Sequence, residues 1–69
     1  MALTFSGRKL RSVRERLGLS QEQLAAKLDT RPTNVSKWEN DKSAPNGVNM
    51  VLLLRALGCE LEEIVTRVP

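Results

Sequence analysis

The strongest constraint on the fold is a pair of helix starts set close together in the chain. Ser20 and Gln23 make the pattern S-x-x-Q, in which the serine hydroxyl accepts from the backbone N–H three residues on and the glutamine side chain accepts from the N–H of the serine. Leu24, Ala25 and Leu28 follow as an apolar row at helical spacing. Pro32 makes the second start: its fixed φ and missing N–H suit the first position of a helix, and it pushes Arg31 towards extended backbone. Asp29-Thr30-Arg31 is the break between them. The pattern predicts two short helices, the second running from Pro32 to about Asn40, with Val35 and Trp38 facing inward. Thr33, Lys37 and, nearby, Asn34 and Ser36 then point elsewhere.

Other boundaries read in the same way. Ser6 can cap a first helix to about Leu17, with Leu10, Val13, Arg14 and Leu17 on one face and Gly18 ending it. Asp41 to Pro45 is a loop, Asn46 caps a fourth helix from about Gly47 to Leu57, and Gly58 closes it. Leu61 to about Val65 is expected to be a short fifth helix. At 69 residues the chain makes one domain, residues 1–69, near the lower limit for a core without disulfides or metal. Its apolar residues are mostly Leu, Val and Ala, and aromatics are only 3%, which suits packed helices better than strands. The expected fold is all-α, a compact bundle of five helices.

Residue usage removes several kinds of chemistry. With one cysteine and no histidine, no intramolecular disulfide, thiol–imidazole zinc site or histidine-dependent catalytic site can be built. No cofactor loop is present, so the expectation is a protein that is not an enzyme and has no cofactor or metal. Cys59 reads as a small buried hydrophobe, with a free surface thiol as the alternative. The apolar stretch Met50 to Leu54 is cut short by Arg55, far below a membrane span. The N-terminus has the wrong order for a signal peptide, so a cytoplasmic protein is expected. The net charge is +3. Arg8, Lys9, Arg11, Arg14 and Arg16 crowd the first helix, while Glu60, Glu62 and Glu63 lie near the end. One side of the fold should be basic and suited to a polyanion.

Two short helices joined by a break of about three residues have the geometry of a helix-turn-helix, in which the second lies in the major groove and the first crosses the backbone. Ala25 is small enough to let the pair approach, and Leu24, Leu28, Val35 and Trp38 can lock it. The run GLSQEQLAAKLDTRPTNVSKWEN, Gly18 to Asn40, closely resembles the motif of the lambda-repressor-like family, the phage repressor and Cro type. Gly7, Leu10, Val13 and Arg14 extend the likeness upstream. Downstream, Pro45 and the series Met50, Val51, Leu53, Leu54, Leu57, Gly58, Leu61 and Ile64 resemble the fourth and fifth helices of that family.

The resemblance implies a role for each matching residue. Gln21 matches a glutamine that binds a DNA phosphate, assisted by the N–H groups of its helix end. Pro32, Thr33 and Lys37 match positions that face base edges, and Asn34 and Ser36 flank that row. Asn40 and Lys42 match positions that hold the DNA backbone on the other side of the groove. Arg14 and Glu39 match an ion pair linking helix 1 to the end of helix 3, with the arginine near phosphate. Within the basic cluster, DNA contact is expected of Arg14 and only weakly of Arg11.

Three positions depart from the family pattern. Asp29 stands where glycine with positive φ is common, and aspartate tolerates that conformation at some cost. Arg31 replaces the usual serine or threonine cap, leaving capping to Thr30, water or nothing, while gaining reach towards phosphate. Pro32 replaces a residue that often hydrogen-bonds a base and can offer only apolar contact, so readout should lean on Thr33 and Lys37.

Val48, Leu52, Val65 and Val68 exceed what so small a core should need, and an exposed apolar patch marks an interface. Helices 4 and 5 are therefore expected to pair two copies, with recognition helices about 34 Å apart on an inverted-repeat operator; the alternative is that these residues merely close the core. The reading is a double-stranded-DNA-binding transcriptional regulator, a repressor acting as a homodimer. An antitoxin-like module, binding a protein partner and using DNA binding for autoregulation, is the alternative.

Overall fold

The computed structural model describes residues 2–69. Strand β1 (Ala2–Phe5) leads into helices α1 (Gly7–Arg16), α2 (Gln21–Lys27), α3 (Pro32–Glu39) and α4 (Gly47–Leu57), then a 3-10 turn (Leu61–Glu63) and strand β2 (Val65–Val68). The helix starts fall where the capping chemistry puts them. Ser6 Oγ accepts from Lys9 N, both hydrogen bonds of the Ser20–Gln23 box are made, and Asn46 Oδ1 accepts from Asn49 N at 2.8 Å. Gly58 closes α4 in the left-handed conformation, φ 61°.

The expected fifth helix is not formed. Only a single turn forms at Leu61–Glu63, held by the Glu63 carboxylate accepting from Glu60 N at 3.0 Å, and the chain then extends. Val65, Thr66 and Val68 are β-branched and lose rotamer freedom in a helix, and here a partner strand is available. That partner is the N-terminal segment, which the sequence left without structure. β1 and β2 pair antiparallel, with Leu3 opposite Arg67 and Phe5 opposite Val65. Ser6 N donates to Ile64 O at 2.9 Å, and the Lys9 ammonium donates to Val65 O at 2.7 Å and Glu62 O at 3.3 Å. The architecture is thus four helices with a two-stranded sheet closing the ends of the chain, mostly helical and not all-α.

Leu10, Val13, Leu24, Ala25, Leu28, Val35, Trp38, Leu53, Leu57, Ile64 and Val65 form one core. Three expectations about burial change. Leu17 lies beyond the last residue of α1 and is exposed. Val65, expected on a pairing surface, is core, because its strand position turns it inward opposite Phe5. Cys59 is a free cysteine that is neither fully buried nor fully exposed; it packs half-buried against the core, and burial, with the Glu63 charge adding to it, pushes its thiol up from its ordinary value.

Gly7 explains how α1 meets α3. A β-carbon at Gly7 would lie 2.6 Å from Glu39 O and closer still to Trp38 O, so the start of α1 rests on the final carbonyls of α3. Gly7 N also donates to Asp41 Oδ1 at 2.9 Å. Backbone against backbone cannot relax as side chains do. Gly7→Ala should therefore lower unfolding stability by about 1–3 kcal/mol or more. Gly47→Ala, where a β-carbon meets nothing within 4 Å, should be neutral or slightly stabilising. Urea unfolding followed by circular dichroism compares the two, and equal stabilities would show that the contact is not limiting.

Candidate nucleic-acid interface

The α2–α3 pair is built from the inside outward. Leu24, Ala25, Leu28, Val35 and Trp38 are all buried, so α3 has its orientation set by packing. The reversal between the helices is tight: Thr30 N donates to Ala25 O at 3.0 Å, and Asp29 takes φ 54°, the left-handed region. Arg31 occupies the cap position of α3 with no side-chain cap hydrogen bond. Thr30 does not fill that role either; its hydroxyl accepts instead from the Asn34 side-chain amide at 2.8 Å. Asn34 thus braces the turn.

Glu39, at the end of α3, is the electrostatic centre of the domain. Its side chain has 0% exposure. Oε2 accepts from Arg14 Nε at 2.5 Å; Oε1 accepts from Arg14 Nη2 at 3.0 Å, Gln21 Nε2 at 3.0 Å and Arg11 Nε at 3.3 Å. Arg14 Nη1 also donates to Leu19 O at 2.7 Å, and the Arg14 side chain is only 10% exposed. Burial disfavours the charged form of Glu39 and is the largest single influence on it. The hydrogen bonds from Arg14, Gln21 and Arg11 together outweigh burial, so the carboxyl ionises below its ordinary value. The hydrogen bond to Glu39 likewise raises Arg14, against the effect of burial.

The residues singled out from the sequence fall into two groups, with Asn40 belonging to both. Arg31, Pro32, Thr33, Lys37, Asn40 and Lys42 are exposed, and Thr33, Ser36, Lys37, Asn40 and Lys42 line one shallow groove along α3. Others are engaged within the protein. Arg14 is buried on Glu39, Asn34 is held by Thr30, and the Asn40 amide donates to Ser36 O at 2.8 Å. Gln21 is half-buried with its amide turned to Glu39. Sequence reasoning marked the Arg14–Glu39 match but missed that Gln21 and Arg11 share the same carboxylate. Nothing in their spacing along the chain signals it.

Away from this face, Val48 is 69% exposed on α4, Leu52 and Val68 are half-buried, and Val51 adds to the open apolar surface. Among the described residues, no group of three His, Cys, Asp or Glu side chains is placed to hold a metal ion, and no helix is long and apolar enough to cross a membrane.

The sequence pattern of the Helix-turn-helix family matches residues 10–64, and the chain belongs to this family, in its lambda-repressor-like branch. It is 32% identical over 59 residues to Repressor protein C2 of Salmonella phage P22; the match takes in 86% of this chain and 27% of that relative's length. Among solved structures, the P22 c2 repressor in complex with a synthetic operator superposes with a TM-score of 0.78 at 30% identity, over 83% of this chain and 86% of the other. The restriction-modification controller protein C.AhdI of Aeromonas hydrophila gives 0.77 at 35% identity, again over 83% and 86%.

Removing Glu39 leaves Arg14 desolvated without its partner, so Glu39→Ala should cost about 3–5 kcal/mol of unfolding stability. Because the carboxyl ionises below its ordinary value when folded, its contribution is fully present above the unfolded carboxylate value. That contribution is lost as pH falls through the folded one. Denaturation at a series of acid pH values should show wild type losing more stability on acidification than Glu39→Gln; parallel profiles would deny Glu39 this role.

Proposed function

We propose that this chain is a sequence-specific double-stranded-DNA-binding transcriptional regulator of the repressor kind, reading its operator with α3. The observation that carries the reading is the exposed polar and cationic face of a short helix whose inward face is locked by core packing. At 1.5 Å per residue α3 is about 12 Å long, matched to the width of the major groove. Thr33 and Lys37 stand one turn apart on that face, placing them over neighbouring base pairs. Pro32, beside them, offers apolar contact suited to a thymine methyl. Arg31 and Lys42, exposed at the two ends of α3, reach the flanking phosphates, with Gln21 contributing from the start of α2. Asn34, Ser36 and Asn40 chiefly hold the helix ends, given their internal hydrogen bonds. The similarity to a repressor solved on an operator supports the same reading.

Two copies would present two such helices to an inverted repeat, with half-sites about 34 Å apart. The pairing surface is α4, through Val48, Val51 and Leu52, with Val68 at its border. Val65 takes no part, since it is buried within one copy.

Binding to duplex DNA should show a log–log salt slope of about −4 to −7 for a dimer contacting roughly 4 to 8 phosphates. Lys37→Ala should alter which sequences are selected from random duplexes, while Gln21→Ala weakens all of them about equally. Wild-type selectivity in Lys37→Ala would remove α3 as the reader. Sedimentation should report a dimer that Val48→Glu converts to monomer while its thermal melt is unchanged; a monomeric wild type at tens of micromolar would remove the pairing surface.

A further inference from the structure

The basic residues of α1 divide unexpectedly around Glu39. Arg14, the member of the cluster first expected at DNA, has Nε, Nη1 and Nη2 all engaged and almost no exposed surface. Three of its five N–H donors are spent inside the protein, and little of its charge is open to an outside anion. Arg11 is arranged differently. Its side chain is 46% exposed and only its Nε is committed, to Glu39 Oε1. Among the described residues, its two Nη groups, four N–H donors in a planar fork, have no partner within the protein.

Gln21 binds the same oxygen. Only an amide NH2 can face a carboxylate, so Glu39 determines which way the Gln21 amide is turned. One N–H is used on Glu39 and the other is left for an outside acceptor. Because Arg11 Nε and Gln21 Nε2 lie 3.3 Å and 3.0 Å from one atom, they are neighbours, close enough for the oxygens of a single phosphate to meet both side chains. Two guanidinium groups against one carboxylate leave the cluster net positive, as an anion requires.

We propose that Arg11 and Gln21 form one clamp for a DNA phosphate diester, assembled in advance by Glu39, and that Arg11 rather than Arg14 supplies its charge. The clamp rests on the DNA-binding reading above. It joins α1 to α2 at the flank of α3, and its rigidity follows from Glu39, which holds both side chains before DNA arrives.

The test is binding of the whole chain to a short mixed-sequence DNA duplex across a salt series. Arg11→Ala should weaken binding roughly tenfold at low salt and reduce the steepness of the slope by about 0.9 for each protomer bound. Arg11→Gln, which keeps a side-chain donor for Glu39, should lose the same slope with an unchanged thermal melt. Gln21→Ala, removing no charge, should weaken binding at constant slope. The double variant should lose less than the product of the two single losses, since both act on one phosphate. Arg67→Ala, an exposed charge on β2, controls for net charge and should leave the slope unchanged. If the Arg11 variants behave like Arg67→Ala, or if the Arg11 and Gln21 losses multiply independently, the clamp is overturned while DNA binding stands. A wild type that binds no duplex would overturn the functional reading and the clamp with it.

Discussion

A carboxylate with no exposed surface is stable in a folded protein only when its lone pairs are filled by donors held in place. Glu39 meets that condition with four N–H groups from three side chains, two on α1 and one on α2. The carboxylate itself belongs to α3, so three helices are referred to one pair of oxygen atoms. The approach of Gly7 to the Trp38 and Glu39 carbonyls adds a backbone contact at the same end of α3. Hydrophobic packing alone specifies orientation loosely, because apolar contacts have no direction. A bidentate arginine on a buried carboxylate has a narrow geometry, which makes the angle between α1 and α3 a fixed property of this fold.

That geometry matters because α3, at eight residues, is too short to hold a helical conformation by itself. Its helicity and its aim both come from the neighbours it packs against. The outward residues inherit a stable direction from Val35, Trp38 and Glu39 on the inward side. The same framework separates the polar side chains that complete the fold from those left over for a partner. Arg14, Asn34 and Asn40 are held by internal acceptors, while Arg31, Thr33, Lys37 and Lys42 are left on the surface.

The small sheet has a different role. It joins the N-terminal segment to the C-terminal one in one ladder, Ala2 opposite Val68, and the Lys9 ammonium fastens β2 and the preceding turn to α1. With Ile64 and Val65 drawn into the core by this closure, α4 keeps an outward stripe of Val48 and Val51 with nothing over it. The pairing surface proposed for a second copy is therefore narrower than the apolar content of the C-terminal region suggests, and it lies on α4.

Local chemistry made much of this protein legible in the sequence. The boundaries of α1 to α4 follow from Ser6, Ser20, Gln23, Pro32, Asn46 and Gly58, because capping and φ restriction act within a few residues. The buried face of the helix-turn-helix follows from periodicity. Tertiary structure alone decided the rest, and each case involves partners far apart in the chain. Val65 to Val68 became a strand because Ala2 to Phe5 came to lie beside them, which outweighs a helical start at Leu61. Gln21 and Arg11 turned to Glu39 because folding brought one buried carboxylate within reach of both. Whether a polar side chain is spent inside or left for a partner depends on which acceptors surround it in space. A sequence specifies those acceptors only through the fold.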